Sequence, residues 1–130
     1  MRKLLSVCLG LSSLLIGATP TWAHHGGGLF EPEATITVSG TVTDFQFVNP
    51  HVLVYINAID ENGAESQWAG ELTSPNRLAR MSDLDVKWHK EILKPGDRIT
   101  MTGHPARNGA PAMDITRIVD ANGTVLIGSN

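Results

Sequence analysis

One clear helix start, Ser74-Pro75, divides this chain, with three strand-like segments before it and two after it. A serine hydroxyl can accept from the free amides of a first helical turn, and proline fits the first helical position because its missing N–H had no partner there. The segments on either side carry the alternation and turn residues of β structure. From Thr35 to Phe47 the residues Ile36, Val38, Gly40 and Val42 keep one phase and Phe45 and Phe47 keep the other. That slip predicts a bulge near Thr43 and Asp44, the device by which a strand bends around a small barrel.

Asn49-Pro50 turns the chain into a second strand, His51 to Asp60, with Val52, Val54, Ile56 and Ala58 on one face. Glu61-Asn62-Gly63 marks a hairpin, and Glu65 to Leu72, carrying Trp68, reads as the third strand. A short helix is expected over about Asn76 to Ser82, then a helical or turn-like piece around Val86 to Leu93. Pro95-Gly96 suits the centre of a type II turn leading into a fourth strand, Asp97 to Gly103, which His104-Pro105 ends. Asn108-Gly109 turns into a fifth strand, Met113 to Asp120, and Asn122-Gly123 closes a hairpin with a short edge strand at Thr124 to Ile127. This order predicts a mainly β fold: a small five- to six-stranded antiparallel OB-like barrel with one short helix between strands 3 and 4. A β-roll or sandwich with the same element order is the alternative.

Residues 1–23 read as a cleavable export signal. Arg2 and Lys3 form a positive start, Leu4 to Ile16 an apolar stretch, and Thr21-Trp22-Ala23 a small-residue cleavage site. The apolar stretch is shorter than the roughly 20 residues of a spanning helix, so no membrane span is expected in the mature protein. The expected organisation is a signal peptide over 1–23, a flexible arm over 24–34 containing Gly26-Gly27-Gly28, and a single barrel domain over 35–130. The mature chain then begins at His24 in the periplasm. The one cysteine, Cys8, leaves with the signal, which excludes disulfides, thiolate metal sites and cysteine nucleophiles. With 10 Lys and Arg against 13 Asp and Glu, and no basic cluster, the chain lacks what a phosphate-backbone binder needs, so nucleic acid is not an expected partner.

The His24-His25 start followed by Phe30, Gly40-Thr41-Val42-Thr43 leading to Asn49-Pro50-His51, Ser74-Pro75-Asn76, and Leu93-Lys94-Pro95-Gly96-Asp97 running to Gly103-His104-Pro105 together resemble a family of small exported bacterial proteins. That family is known only as a domain of unknown function. The resemblance spans nearly all of the mature chain and implies a periplasmic β-barrel, with no assigned activity. The chain departs from the family where a Gly-Trp pair is expected after the helix and Asp85-Val86-Lys87-Trp88 stands instead.

Five histidines and the carboxylates carry what chemistry the chain offers. An N-terminal His24 presents both its amine and its imidazole, and a second imidazole completes a nitrogen-rich site suited to Cu(II). The competing reading makes His24 and His25 part of a leader that binds only adventitious metal. His51 and His104 fall in the loops between strands 1 and 2 and between strands 4 and 5, which share one rim of such a barrel. In the alternative each imidazole serves only its own proline-containing turn. The metal candidates are therefore His24, His25, His51 and His104, with Asn49, Trp68 and Arg107 lining the rim. His89 reads as a solvated residue, and Met101 and Met113 as core. Glu71, Asp114 and Arg117 form no acid–base pair that spacing reveals, and no serine sits in a nucleophile elbow.

The leading expectation is a non-enzymatic periplasmic binding or accessory domain whose ligand is a divalent metal, copper first. An interaction module for an envelope protein or glycan at the barrel rim is the first alternative. A copper-dependent oxidative enzyme is the second.

Overall fold

The computed structural model describes residues 28–128. The segment read as a signal peptide, and with it His24 and His25, lies outside the described residues.

The described chain forms β1 (Ile36–Gln46), β2 (Leu53–Ile59), β3 (Glu65–Glu71), α1 (Pro75–Leu78), β4 (Arg98–Pro105), β5 (Ala112–Asp120) and β6 (Val125–Ile127). The strands follow the order β3-β2-β1-β4-β5-β6, and a further contact between β3 and β5 closes the first five into a barrel. The closure corrects one expectation. All other neighbours are antiparallel, but Ala69, Gly70 and Glu71 pair in parallel with Ala112, Met113 and Asp114. Parity requires this. When five strands alternate direction around a ring, the last joins the first running the same way, so an odd-stranded barrel cannot be antiparallel throughout.

The bulge in β1 lies between Val42 and Asp44, at the phase slip, inside the ladder with β2 that runs from Thr41 to Gln46, while β1 pairs with β4 from Ile36 to Thr41. β4 has its own irregularity between Thr102 and Gly103. A Cβ on Gly103 would stand 2.2 Å from the Asp114 carbonyl oxygen, so this approach of two backbones requires glycine.

The helix is one turn, shorter than the sequence suggests. Ser74 Oγ accepts from the Arg77 amide at 3.3 Å, as the capping argument expects. The chain then leaves helical geometry, and Val86 to Leu93 contains turns and no helix. Inward side chains explain why. Met81, Leu84, Val86 and Trp88 all pack on the core, and spacings of three, two and two do not fit one helical stripe. Trp88 is buried, and its indole N–H donates to the Leu126 carbonyl at 2.8 Å, joining this segment to β6. The core itself holds Val52, Val54, Ile56, Met101, Met113 and Ile118, each fully buried. Among the described residues no helix is long and apolar enough to cross a membrane.

Candidate functional site

The parallel closure brings four ionisable side chains into a row that the sequence does not display. On β5, Asp114 has Glu71 of β3 as its parallel partner and His104 of β4 as its antiparallel partner. Gly70, Leu72, Gly103, Met113 and Ile115 are buried, so strand alternation turns Glu71, His104 and Asp114 outward. His51 precedes β2 and contacts Glu71 through its Nδ1. The row thus runs His51, Glu71, Asp114, His104 across the outside of the barrel where β3 meets β5.

Each imidazole is held through the same ring atom. Glu71 Oε1 contacts Nδ1 of His51, and the Ala34 carbonyl lies 2.8 Å from Nδ1 of His104. A carbonyl oxygen or an ionised carboxylate only accepts, so both Nδ1 atoms carry a proton, and in the neutral form of each ring it is Nε2 that offers a lone pair. Nδ1–H donated to a carboxylate or carbonyl is also how proteins orient a histidine that ligates metal through Nε2. Asp114 responds to this setting. Burial pushes its carboxyl above 3.8, and the His104 and His51 imidazoles pull it back in part.

His104 is not in a loop, as its proline suggested, because β4 continues through Pro105. Of the expected rim residues, Asn49 lines a concavity of about 390 Å³ with Leu29, Val48, Pro50, His51, Leu53 and Glu71. Trp68 is elsewhere: it pairs with Ile56 and packs against the core. Arg107 is engaged with the N-terminal segment, donating from Nε to the Phe30 carbonyl and from Nη1 to Glu31, each at 2.9 Å. His89 accepts locally from the Glu91 amide at 3.2 Å and stays exposed. Met101 and Met113 are core residues.

The segment read as a flexible arm is held in its described part. Phe30 bridges to Ala106, the Glu31 amide donates to the Pro105 carbonyl, and the Arg107 amide donates to the Leu29 carbonyl. Leu29 consequently lines both the concavity beside His51 and a second one, of about 420 Å³, with Phe30 and Arg107. Among the described residues no three His, Asp or Glu side chains form a group that could hold a metal ion unaided. Glu71 and Asp114 are the site residues that sequence reasoning missed. Their outward phase was readable, but their adjacency depends on which strands close the barrel.

Residues 12–125 match a family described as a family of unknown function (DUF6152). No curated protein matches the chain. Among solved structures, the dimeric N-terminal domain of PriB from Thermoanaerobacter tencongensis is similar at 15% identity, with 68% of this chain and 97% of that one covered and a TM-score of 0.46. Rim1, a mitochondrial single-stranded DNA binding protein from S. cerevisiae, is similar at 8% identity, covering 68% of this chain and 94% of its own, with a TM-score of 0.47. Neither likeness bears on what this protein binds.

Proposed function

The chain belongs to this family of unknown function, and we propose that it is an exported, non-enzymatic binding or accessory domain that takes a divalent metal, copper first, at the His51 edge of the barrel. The observation that carries this reading is the orientation of two imidazoles. His51 and His104 each have Nδ1 occupied by an acceptor, which leaves Nε2 as the ligating atom. Cleavage before His24 would supply the remaining donors, a terminal amine and an imidazole. Leu29 shares a concavity with His51, and the five residues back to His24 span at most about 17 Å when extended, enough to reach that edge. The mature protein is periplasmic in this reading, and its ligand is not nucleic acid, since its few basic residues do not cluster.

The test uses secreted protein whose terminus has been fixed by intact mass. Titration with Cu(II), followed by calorimetry and paramagnetic resonance, is expected to give one nitrogen-ligated site. His51→Ala and one extra residue before His24 should each cost most of the affinity, and His89→Ala none. Wild-type affinity in both of the first two variants would sink the proposal.

A second reading has its own observation. Leu29 and Val48, which are 42% and 51% exposed, line the concavity beside His51, and such apolar exposure also suits an envelope protein or glycan. Retention of the mature protein by envelope components, undisturbed by a chelator, would favour it over the metal.

A further inference from the structure

The chain has three Asn-Gly pairs, Asn62-Gly63, Asn108-Gly109 and Asn122-Gly123. All three are exposed, and each glycine has a positive φ, of 80°, 76° and 84°. Each glycine amide donates to the carbonyl three residues earlier, that of Asp60, Ala106 or Asp120. The turns differ in where the next amide points. In the first and third, the Ala64 and Thr124 amides donate to the carboxylates of Asp60 and Asp120 at 2.9 Å, and the Asn62 and Asn122 amides donate to the same oxygens at 2.8 Å. The second turn has Ala106 where the others have aspartate, and there the Ala110 amide donates to the side-chain oxygen of Asn108 at 3.0 Å. That donor is fixed from behind. Pro111 confines Ala110 to extended backbone, the Ala112 amide donates to the Ala110 carbonyl at 2.7 Å, and the Ala69 amide of β3 donates to the Pro111 carbonyl at 3.0 Å.

We propose that Asn108 is a site of self-modification, the one Asn-Gly pair of the three at which the fold promotes exchange of the side-chain amide for a carboxylate by water. The Gly109 nitrogen gives its proton to solvent and attacks Cγ of Asn108. A Cγ–N bond forms and closes an imide ring, Nδ2 takes up a proton, its bond to Cγ breaks, and ammonia leaves. Water then opens the imide at either carbonyl, giving aspartate or isoaspartate, with nothing oxidised or reduced. Negative charge develops on Oδ1 during the attack, and the Ala110 amide already faces that oxygen at the distance an oxyanion donor needs. At Asn62 and Asn122 an aspartate carboxylate has taken the corresponding donor, and its charge opposes an anion forming beside it. Release of the glycine amide from its turn bond is required at all three pairs and does not separate them. Either product puts a negative charge at the concavity of about 420 Å³ that Asn108 lines with Leu29, Phe30 and Arg107. The loop that holds the N-terminal segment is therefore where the molecule ages first.

The experiment incubates the purified protein in mildly alkaline buffer, folded and in urea, and follows each Asn-Gly pair by peptide mass mapping with isoaspartate quantitation. A donor in a water-excluded oxyanion hole is worth about 10²–10³ in rate and an exposed turn returns less, so Asn108 should convert about tenfold faster than Asn62 and Asn122 in the folded protein. In urea, where the turns are gone, the three pairs should convert at similar rates. Replacing the Ala110 amide by a backbone ester removes the N–H and keeps the chain path, and it should bring Asn108 down to the rate of the other two. The comparison of folded with unfolded wild type needs no variant and stands if the ester does not fold. Equal rates at the three pairs in the folded protein would overturn the proposal. A lead for Asn108 that persists in urea, or in a folded ester variant, would overturn it as well.

Discussion

Asp114 and His104 face each other across the antiparallel β4–β5 ladder. Directly opposed side chains on one face of such a pair lie close enough to interact, and on its other flank Asp114 meets Glu71. One outward carboxylate therefore has an imidazole on one side and a second carboxylate on the other. The Glu71 charge is in turn engaged by His51. The row is arranged so that each acid has a histidine neighbour.

The raised carboxyl of Asp114 gives a pH dependence with a definite sign. Burial is the largest cause, offset by His104 and then His51, so the folded protein holds this proton more tightly than the unfolded chain. Below 3.8 the group is protonated in both states and costs nothing. As pH rises through the folded value, the ionised group carries its burial penalty and stability is lost. Asp114→Asn should therefore melt slightly higher than wild type at pH 7, with the gain vanishing as pH approaches 3. Melting curves across that range check it, and an equal gain at both ends would contradict the assignment.

Gly103 holds the two strands of this pair at their closest approach. An added Cβ would meet the Asp114 carbonyl oxygen at 2.2 Å and its carbon at 2.9 Å, and backbone cannot swing aside. At Gly70 the nearest atoms are side chain and not backbone, Cδ1 and Cγ1 of Ile115 at 2.3 and 2.7 Å and the Met101 sulfur at 3.0 Å, and side chains can shift where backbone cannot. Overpacking costs typically about 1–3 kcal/mol. Gly103→Ala should fall at or beyond the top of that range and Gly70→Ala within it, as read from urea midpoints. The reverse order would mean that the β4–β5 irregularity relaxes more easily than the interior does.

Most of the fold was legible in local pattern. The phase slip at Thr43 and Asp44, the buried alternation from Val52 to Ala58 and the turn at Pro95-Gly96 are all nearest-neighbour information, and the structure carries each of them. Gly96 has a φ of 99°, as its turn requires. The length of the helix was not legible, because packing of Met81, Leu84 and Val86 overrode the capping signal after a single turn. Nor was the row at Glu71 and Asp114, since it arises from a parallel contact between strands far apart in sequence. His51 and His104 could be singled out by residue type. Their acceptors could not, and those acceptors decide which nitrogen is free.

Trp88 illustrates a tertiary role with no local signature. Its buried indole N–H reaches the Leu126 carbonyl at 2.8 Å and connects the segment after α1 to β6. Trp88→Phe keeps much of the apolar volume but leaves that carbonyl without its partner, which costs about 1–3 kcal/mol. Exchange protection should fall first in β6 (Val125–Ile127), the shortest strand, and a variant with wild-type stability and protection there would show the bond to be dispensable.

The last prediction concerns the tautomer of His51, on which the ligating atom of the proposed metal site depends. Glu71 accepts from Nδ1, so ¹⁵N resonance of the metal-free protein should report the Nδ1–H form at His51, and the Ala34 carbonyl imposes the same form at His104. Glu71→Ala removes the acceptor from His51 alone. The ring should then return to the mixture of a free imidazole, dominated by Nε2–H, while His104, held by a backbone atom that no side-chain change removes, stays as it was. Loss of such an orienting partner typically costs about 10- to 100-fold in metal affinity, so Cu(II) binding should weaken by that order in Glu71→Ala even though both imidazoles remain. If His51 keeps its Nδ1 proton without Glu71, the carboxylate is not what sets the ring, and the row of four acts on the ligand through charge alone.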